Sequence, residues 1–326
     1  MVLHKKKSEI SIIIPFLNEG HRVRHTVKSI RDTNNSDIEI ILINDHCTDN
    51  YDYKSVAEEY SCKYVINVNR VGVAESRTKG VTLAKNRYII LFDAHMTLPD
   101  YDWEDRILTE LKKDSRAIYC TKIGVLDDNG KAYPHTDHNA QGAHFHFEKG
   151  ERDYLECKWS KWKETTNPTS YIPCILGATY CFDKHYFMKL WGLAGLKEYG
   201  ADEQFLSVKC WLEGGSVKMI NTVKIGHWFR DKHPYSVNFN NSIYNKVFVI
   251  ETCAKDKEKH LNNFINKNAK ELTCTPLYKS NLKYMEIFRN HFLNKLFTRD
   301  FDFIEKMNAH YLENSSSISE EFLKNN

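Results

Sequence analysis

The sequence predicts an α/β fold in which a mostly parallel sheet is flanked by helices and followed by a helical extension. Short runs of β-branched and other apolar residues alternate with helical segments between residues 9 and 125. Polar candidates for a functional site directly follow several of these runs. Of the 326 residues, 41% are hydrophobic and 27% are charged, which is ordinary for a globular protein with a full core.

The strands of this alternation are predicted where β-branched residues cluster. They are expected at residues 9–15, 37–44, 62–67, 88–92 and 117–125, with helices at 18–32, 55–60, 72–85 and 103–113. In the first helix, Val23, Val27 and Ile30 have the spacing of one apolar face, and the third helix is rich in small residues. Such alternation is typical of a doubly wound sheet, whose ligands bind past the carboxyl ends of the strands.

The second half of the chain is less regular up to residue 173. There His144 and His146 alternate on a predicted strand and share a face, so we expect packing or acceptor contacts from them. Strand, helix and strand return between residues 174 and 228, and the chain after residue 240 is Lys- and Asn-rich and mostly helical. We therefore expect one domain over residues 1–255 and a helical extension over residues 256–326.

Charge, cysteines and missing motifs exclude several classes of function. Lys plus Arg number 46 against 43 acidic residues, a net charge of +3 that does not indicate nucleic-acid binding. No run approaches a membrane span, no apolar leader precedes the first strand, and the nine cysteines lack metal-site spacing. We expect a cytoplasmic protein with reduced thiols and no integral membrane segment. The GxxxxGK[ST], GxGxxG and GxSxG motifs are absent, which disfavours kinases, Rossmann dehydrogenases and α/β-hydrolases.

The sequence FDAH at residues 92–95 is the strongest signal of a site. Asp93 and His95 follow the buried run at 88–92, so both side chains can reach one metal ion. His227 follows a second apolar segment far downstream and offers a third ligand. One carboxylate and two imidazoles, with a nucleotide diphosphate in the remaining positions, suit a cation of the Mn²⁺ type. The alternative is a polar loop without a ligand.

Two further groups of residues have both a structural and a functional interpretation. Asp202 and Glu203 fit an ordinary helix start, or a carboxylate that contacts a sugar or serves as a base. Arg230 and Tyr235 fit a solvated loop, or a segment that neutralises a leaving phosphate. Trp211 fits a core residue, or an aromatic floor under a sugar or diphosphate.

The motifs occur together in an order that resembles a known family. They are SIIIPFLNE (11–19), IILIND (40–45), RVGVAESR (70–77), FDAH (92–95), GATYCFDKHYF (177–187), the segment 199–215, GHWFR (226–230) and Pro234-Tyr235. This ordered set resembles GT-A fold glycosyltransferases of the family 2 type, and in particular the catalytic domain of polypeptide N-acetylgalactosaminyltransferases. The resemblance covers most of residues 10 to 250.

The resemblance implies a role for each matching residue. Uridine contacts would come from Pro15, Glu19, Asp45, Arg70 and Arg77. Asp93, His95 and His227 would bind Mn²⁺ (or Mg²⁺) and the diphosphate. Gly177 and Ala178 would lie against the donor sugar, and Asp202, with Glu203 beside it, would stand where the family has its sugar-contacting acid. The diphosphate side would be completed by Trp211, Arg230 and Tyr235.

Four positions depart from the family pattern. Asn44 replaces the first acid of an Asp-Asp pair, Glu203 replaces an Asn beside the sugar, and Ala178 and Ala201 replace glycines. The nature of the sugar is therefore open.

We expect a metal-dependent transferase that moves a sugar from a UDP-sugar to a peptide or protein acceptor with retention. The alternative is an inverting family 2 enzyme acting on a glycan or lipid-linked acceptor. A sugar-nucleotide-binding scaffold is expected to lose a ligand or the loop arginine, and a nucleotidyltransferase needs a Gly-rich basic loop after its first strand. Neither expectation fits this sequence.

Overall fold

The computed structural model describes residues 6–98, 101–127, 140–148, 154–161, 165–230, 232–264, 272, 275–314 and 317–326. Its strands are β1 (Lys6–Phe16), β2 (Ser36–Asn44), β3 (Lys63–Ile66), β4 (Tyr88–Phe92), β5 (Met96–Thr97), β6 (Ala117–Val125), β7 (Ala140–His146), β8 (Glu156–Lys161), β9 (Thr169–Tyr171), β10 (Thr179–Asp183) and β11 (Ser216–His227).

The helices of the first 253 residues are α1 (His21–Asp32), α2 (Tyr53–Glu59), α3 (Val73–Leu83), α4 (Trp103–Lys113), α5 (Lys184–Lys189), α6 (Asp202–Glu213) and α7 (Phe239–Cys253). The C-terminal helices are α8 (Lys257–Asn263), α9 (Pro276–His291) with a π-helical turn at Phe292–Leu296, α10 (Phe301–Glu313) and α11 (Glu320–Asn325). None of the helices in the described part of the chain has the length and apolar character needed to cross a bilayer.

The strands form one sheet in the order β3-β2-β1-β4-β10-β6-β11-β5, with β7, β8 and β9 attached beside it. Strands β1, β2, β3 and β4 are parallel, as the alternating sequence predicts. Strand β10 lies antiparallel between β4 and β6, and β5 is antiparallel to β11. The predicted mostly parallel α/β sheet flanked by helices is confirmed.

The first helix begins later than the sequence pattern suggests. We expected it from residue 18, but α1 starts at His21. Asn18 and Gly20 have φ angles of 55° and 56°, in the left-handed region that a right-handed helix cannot contain. The three residues before α1 therefore form a turn at the carboxyl end of β1. This turn places the buried Glu19 near the ends of the neighbouring strands.

One short strand pair determines where the two halves of the chain meet. The end of β11 pairs with β5, which places His227 opposite Met96 and Gly226 opposite Thr97. The backbone N–H of Trp228 also donates to the carbonyl of His95, at 3.1 Å. The segment after β4 and the end of β11 therefore lie side by side.

The C-terminal helices pack against the sheet and the strands beside it. Asn308 on α10 is buried, and its side chain accepts from the N–H of Phe145 and donates to the carbonyl of Phe145, both at 2.8 Å. Tyr311 donates to the hydroxyl of Ser160, and Phe303 contacts the ring of Trp211. The domain boundary at residue 255 stays a prediction.

Asn308→Ala should lower the free energy of unfolding by about 2 kcal/mol or more, because it leaves both polar groups of Phe145 unpaired in the interior. Urea unfolding followed by circular dichroism measures this value. The exposed Glu313 on the same helix provides the control, because Glu313→Ala removes no buried hydrogen bond. Equal stabilities of the two variants would show that α10 is not anchored through Asn308.

Candidate functional site

A cleft of about 390 Å³ lies past the carboxyl ends of β1, β2 and β4. All of the residues that the sequence nominated for the site, except Trp211, line it. They are Pro15, Glu19, Asp45, Arg70, Arg77, Asp93, His95, Gly177, Ala178, Asp202, Glu203, His227, Arg230 and Tyr235. The sheet thus gathers residues that are more than 200 positions apart, as in Glu19 and Arg230.

Asp93, His95 and His227 converge as the sequence suggested. Each offers a ligand atom, and these atoms lie within 4.8 Å of one another. The two Nε2 atoms of the histidines are 3.1 Å apart, and Oδ2 of Asp93 is 3.5 Å from Nε2 of His227. Both rings are buried, so these nitrogens face one another with little access to water. One carboxylate oxygen and two facing imidazole nitrogens form a donor set that fits a divalent cation.

The charges around this group favour the metal-binding protonation states. Burial raises the pKa of Asp93, but hydrogen bonding to His227 and the charge of Arg77 outweigh it and leave the pKa well below its usual range. Burial lowers the pKa of His227, against a smaller opposing effect of Asp93. The carboxylate is therefore anionic and the His227 imidazole neutral near pH 7, which are the forms that bind metals.

Arg77 connects Asp93 to Asp202 at the start of α6. Its guanidinium is buried and donates to Oδ1 of Asp93 at 2.9 Å, to Oδ2 of Asp202 and to the hydroxyl of Tyr180 at 3.0 Å. Tyr180 also donates to Asp202 at 3.0 Å. Although burial opposes a charged arginine, the neighbouring Tyr180, Asp202 and Asp93 keep the pKa of Arg77 well above its usual value. Arg77 therefore fixes two carboxylates at once, a role that its expected place in the uridine pocket did not include.

Glu203 is the second carboxylate at the start of α6, and its surroundings differ from those of Asp202. Burial, together with the charge of Asp202, raises the pKa of Glu203 well above its usual value. Its Oε1 lies 2.6 Å from the position that a Cβ on Gly177 would occupy. A side chain at position 177 would therefore collide with Glu203. The protonated acid is able to donate a hydrogen bond to a ligand in the cleft.

Asp45 directly follows β2, and Arg70 lies in the loop before α3. Oδ1 of Asp45 accepts from the N–H of Val71 at 2.9 Å, and its Oδ2 accepts from the N–H of Gly72 at 2.8 Å. The carboxylate thus shapes the turn that presents Arg70. Arg70 donates to the carbonyl of Ser236 at 2.9 Å and lies over the ring of Tyr235, 5.3 Å from its centroid.

Arg230 lies against the turn between β1 and α1. Its Nη1 donates to Oε1 of Glu19 at 2.5 Å, and the side chain is 14% exposed. The ring of His233, which follows in the same segment, contacts the rings of Tyr199 and Tyr235. These contacts hold the segment over the cleft.

Trp211 is a correction to the expected site. It is 1% exposed, its Nε1 donates to the carbonyl of Pro173 at 3.0 Å, and its ring contacts Phe303 and Tyr171. Trp211 lies in the third turn of α6, whereas Asp202 and Glu203 at the start of that helix face the cleft. Its ring is therefore a core element and does not reach the cleft.

Several cleft residues were missed by the sequence interpretation. Tyr199, Trp228, Trp159 and Phe229 line the cleft. Trp159 and Phe229 are 39% and 45% exposed, and their rings meet edge to face at 5.3 Å. Phe229 is part of the GHWFR motif, so its neighbours could have pointed to it. Trp159 lies on β8 among polar residues, where nothing in the sequence signals a cleft.

A second group of acids and a histidine, His260, Asp302 and Glu305, has ligand atoms within the same distance of one another. The ammonium of Lys259 lies 2.9 Å from carboxylate oxygens of both Asp302 and Glu305. The hydroxyl of Tyr154 is 3.0 Å from Nδ1 of His260. A lysine already balances these acids, so the group connects α8 to α10.

Comparison with known proteins agrees with the fold. A family model described as Glycosyl transferase family 2 matches residues 11–169. Polypeptide N-acetylgalactosaminyltransferase 16 of Homo sapiens is 29% identical over 242 residues, 72% of this chain and 42% of that protein. Polypeptide N-acetylgalactosaminyltransferase 5 of Caenorhabditis elegans is 28% identical over 242 residues, 69% of this chain and 38% of that protein. The chain thus spans less than half the length of these curated relatives.

Two solved structures share the architecture. The crystal structure of GalNAc-T7 with UDP, GalNAc and Mn²⁺ superposes with a TM-score of 0.70 at 20% identity, over 94% of this chain and 58% of that one. The structure of residues 1–349 of S. aureus TarS in complex with UDP-GlcNAc has a TM-score of 0.54 at 12% identity, over 94% of this chain and 88% of that one. The shared architecture shows a GT-A fold, and the family model and the relatives show that the chain is similar to family 2 glycosyltransferases and to polypeptide N-acetylgalactosaminyltransferases.

Proposed function

We propose that this chain transfers a sugar from a UDP-sugar to a peptide or protein acceptor, with Mn²⁺ (or Mg²⁺) as its metal and with retention of configuration. The observation that carries the proposal is the convergence of Asp93, His95 and His227 in a cleft that Arg230 also lines. The relatives that are named for transfer to polypeptides support this acceptor class.

The cleft provides separate places for the parts of such a donor. In the proposal, Asp45 and Arg70 hold the nucleoside, with Pro15 at the end of β1 beside them. Gly177 and Ala178 border the place assigned to the sugar, and the missing side chain of Gly177 leaves room for Oε1 of Glu203. Asp202 and Glu203 border the same space.

The chemistry of the leaving group decides the roles of the charged residues. Loss of UDP builds negative charge on the diphosphate, which a divalent cation held by Asp93, His95 and His227 would offset. Arg230, which is paired with Glu19 in this structure, would donate to the diphosphate oxygens, and Tyr235 lines the same cleft. Charge-assisted contacts in a site that excludes water are among the largest catalytic effects.

An alternative acceptor is a glycan or a lipid-linked sugar, transferred to with inversion. The exposed rings of Trp159 and Phe229 fit this acceptor, because flat aromatic faces can stack on a sugar ring. The same rings can also contact apolar side chains of a peptide. The cytoplasmic location stays a prediction.

The metal requirement tests the proposed activity. UDP should be released from at least one UDP-sugar in the presence of Mn²⁺ and not in EDTA. Asp93→Ala and His227→Ala should each abolish Mn²⁺-dependent binding of UDP in calorimetry, because each removes one of three ligands. His185→Ala, at an exposed position outside the cleft, is the matched control. Parent-like binding of Mn²⁺ and UDP by both ligand variants would rule out this metal site.

Arg230→Ala should reduce kcat by about 10²-fold or more and change donor affinity little, because its contact with the diphosphate strengthens as charge develops. Steady-state kinetics with calorimetric donor binding separate the two effects. Lys232→Ala removes an exposed positive charge from the same segment and should leave kcat unchanged. If Arg230→Ala turns over at the rate of the parent, the arginine has no part in the reaction.

Asp202→Asn should weaken donor binding about 10-fold and alter the preference among UDP-sugars, since it removes a buried acceptor beside the sugar. A base would behave differently: transfer would stop while donor binding and donor hydrolysis persisted. NMR of the product linkage decides between the roles, with an α-linked product expected from an α-linked donor. A β-linked product would make Asp202 the base, with Glu203 as the next candidate, and Glu203→Gln tests that choice.

A further inference from the structure

We propose that Glu19 is a positioning residue that orients the imidazole of His95 toward the metal and holds Arg230 ready beside it. The inference rests on the proposed function, because it assigns a role next to the proposed metal site. It replaces the uridine contact that the family resemblance implied for Glu19.

The two oxygens of the Glu19 carboxylate serve different partners. Oε2 lies 3.3 Å from Nδ1 of His95, and Oε1 accepts from Nη1 of Arg230 at 2.5 Å. The side chains of Glu19 and His95 are only 4% and 6% exposed. Water therefore has little access to replace either contact, and the carboxylate is the common neighbour of a metal ligand and the proposed leaving-group residue.

The contact with Glu19 selects one tautomer of His95. Oε2 of Glu19 and Nδ1 of His95 lie 3.3 Å apart, and neither atom has a hydrogen-bond partner among the described residues. Because a carboxylate can only accept, the form with the proton on Nδ1 is favoured. Nε2 then presents its lone pair toward Nε2 of His227, 3.1 Å away, where the metal ligands converge. Carboxylates that hold the outer nitrogen of a ligating histidine fix its ring orientation and make it a better ligand.

The backbone holds Glu19 in place before any ligand arrives. The preceding residue, Asn18, accepts from the N–H of Thr48 at 2.7 Å. The following residue, Gly20, donates its N–H to the hydroxyl of Tyr53 at 2.6 Å. Both neighbours have positive φ angles, so the turn projects the side chain of Glu19 from a fixed position.

The Glu19 carboxylate lies between two groups that can donate to it, His95 on one side and Arg230 on the other. An anion at this place attracts the proton on Nδ1 and the guanidinium at the same time. Loss of the charge should therefore disturb the metal ligand and the arginine, whereas loss of Arg230 should disturb only one of them.

The first measurement is the tautomer of His95 in the metal-free protein. Long-range ¹H–¹⁵N spectra of the imidazole rings report which nitrogen is protonated, and His95→Gln assigns the signal among the 15 histidines. We expect the Nδ1–H form in the parent and a mixture in Glu19→Gln. The Nε2–H form in the parent would overturn the inference, even if the variant failed to fold.

The second measurement is the affinity for Mn²⁺ in the presence of UDP, by calorimetry. Glu19→Gln should weaken it by about 10- to 100-fold, the usual effect of removing such an outer partner. Arg230→Ala should change the Mn²⁺ affinity less than about threefold, which corresponds to roughly 0.6 kcal/mol. The exposed Glu75 on α3 gives the matched control, Glu75→Gln.

Failure of this inference is distinguishable from failure of the proposed function. If the parent does not bind Mn²⁺ and UDP, the proposed function is wrong, and the tautomer of His95 still tests Glu19. If the parent binds both and Glu19→Gln binds them equally well, only the role of Glu19 is wrong.

Discussion

The antiparallel contact between the end of β11 and the short strand β5 is the constraint on which the site depends. It joins segments that are 132 positions apart and places His95 beside His227. Without this contact the two histidines would not meet, because β10 and β6 lie between β4 and β11 in the sheet. The backbone bond from Trp228 to His95 extends this contact past the last paired residue. The precision of the site therefore comes from sheet hydrogen bonds rather than from flexible loops.

A balance of buried charge forms the second layer of the site. The carboxylates of Asp93 and Asp202 both pair with Arg77, and the buried carboxylate of Glu19 pairs with Arg230. Leaving any one of these charges unpaired in the interior is costly, so the groups constrain one another. Glu203 avoids this cost in another way, because burial and the neighbouring Asp202 favour its neutral form. The start of α6 thus presents two adjacent acids, one paired with Arg77 and one whose pKa is raised by burial and its neighbour.

The C-terminal helices contribute to the cleft without lining it. Asn308 and Tyr311 of α10 bond to β7 and β8, and β8 carries Trp159 to the mouth of the cleft. Tyr244 and Phe248 of α7 lie in the core below the start of α6. These contacts brace the side of the cleft that carries Trp159, where the chain departs most from a simple alternation of strands and helices.

The sequence by itself determined the alternating strands and helices, the candidate ligands Asp93, His95 and His227, and most of the residues that line the cleft. The strands at 88–92 and 117–125 have the predicted bounds, because apolar runs between turn signals are local features. Asp93, His95 and His227 were recognisable because ligand types directly followed such runs. Tertiary structure alone decided the antiparallel insertion of β10, the burial of Trp211 and the sharing of Glu19 between His95 and Arg230. Each of these depends on which distant segments pack together, and spacing along the chain carries no record of those distances.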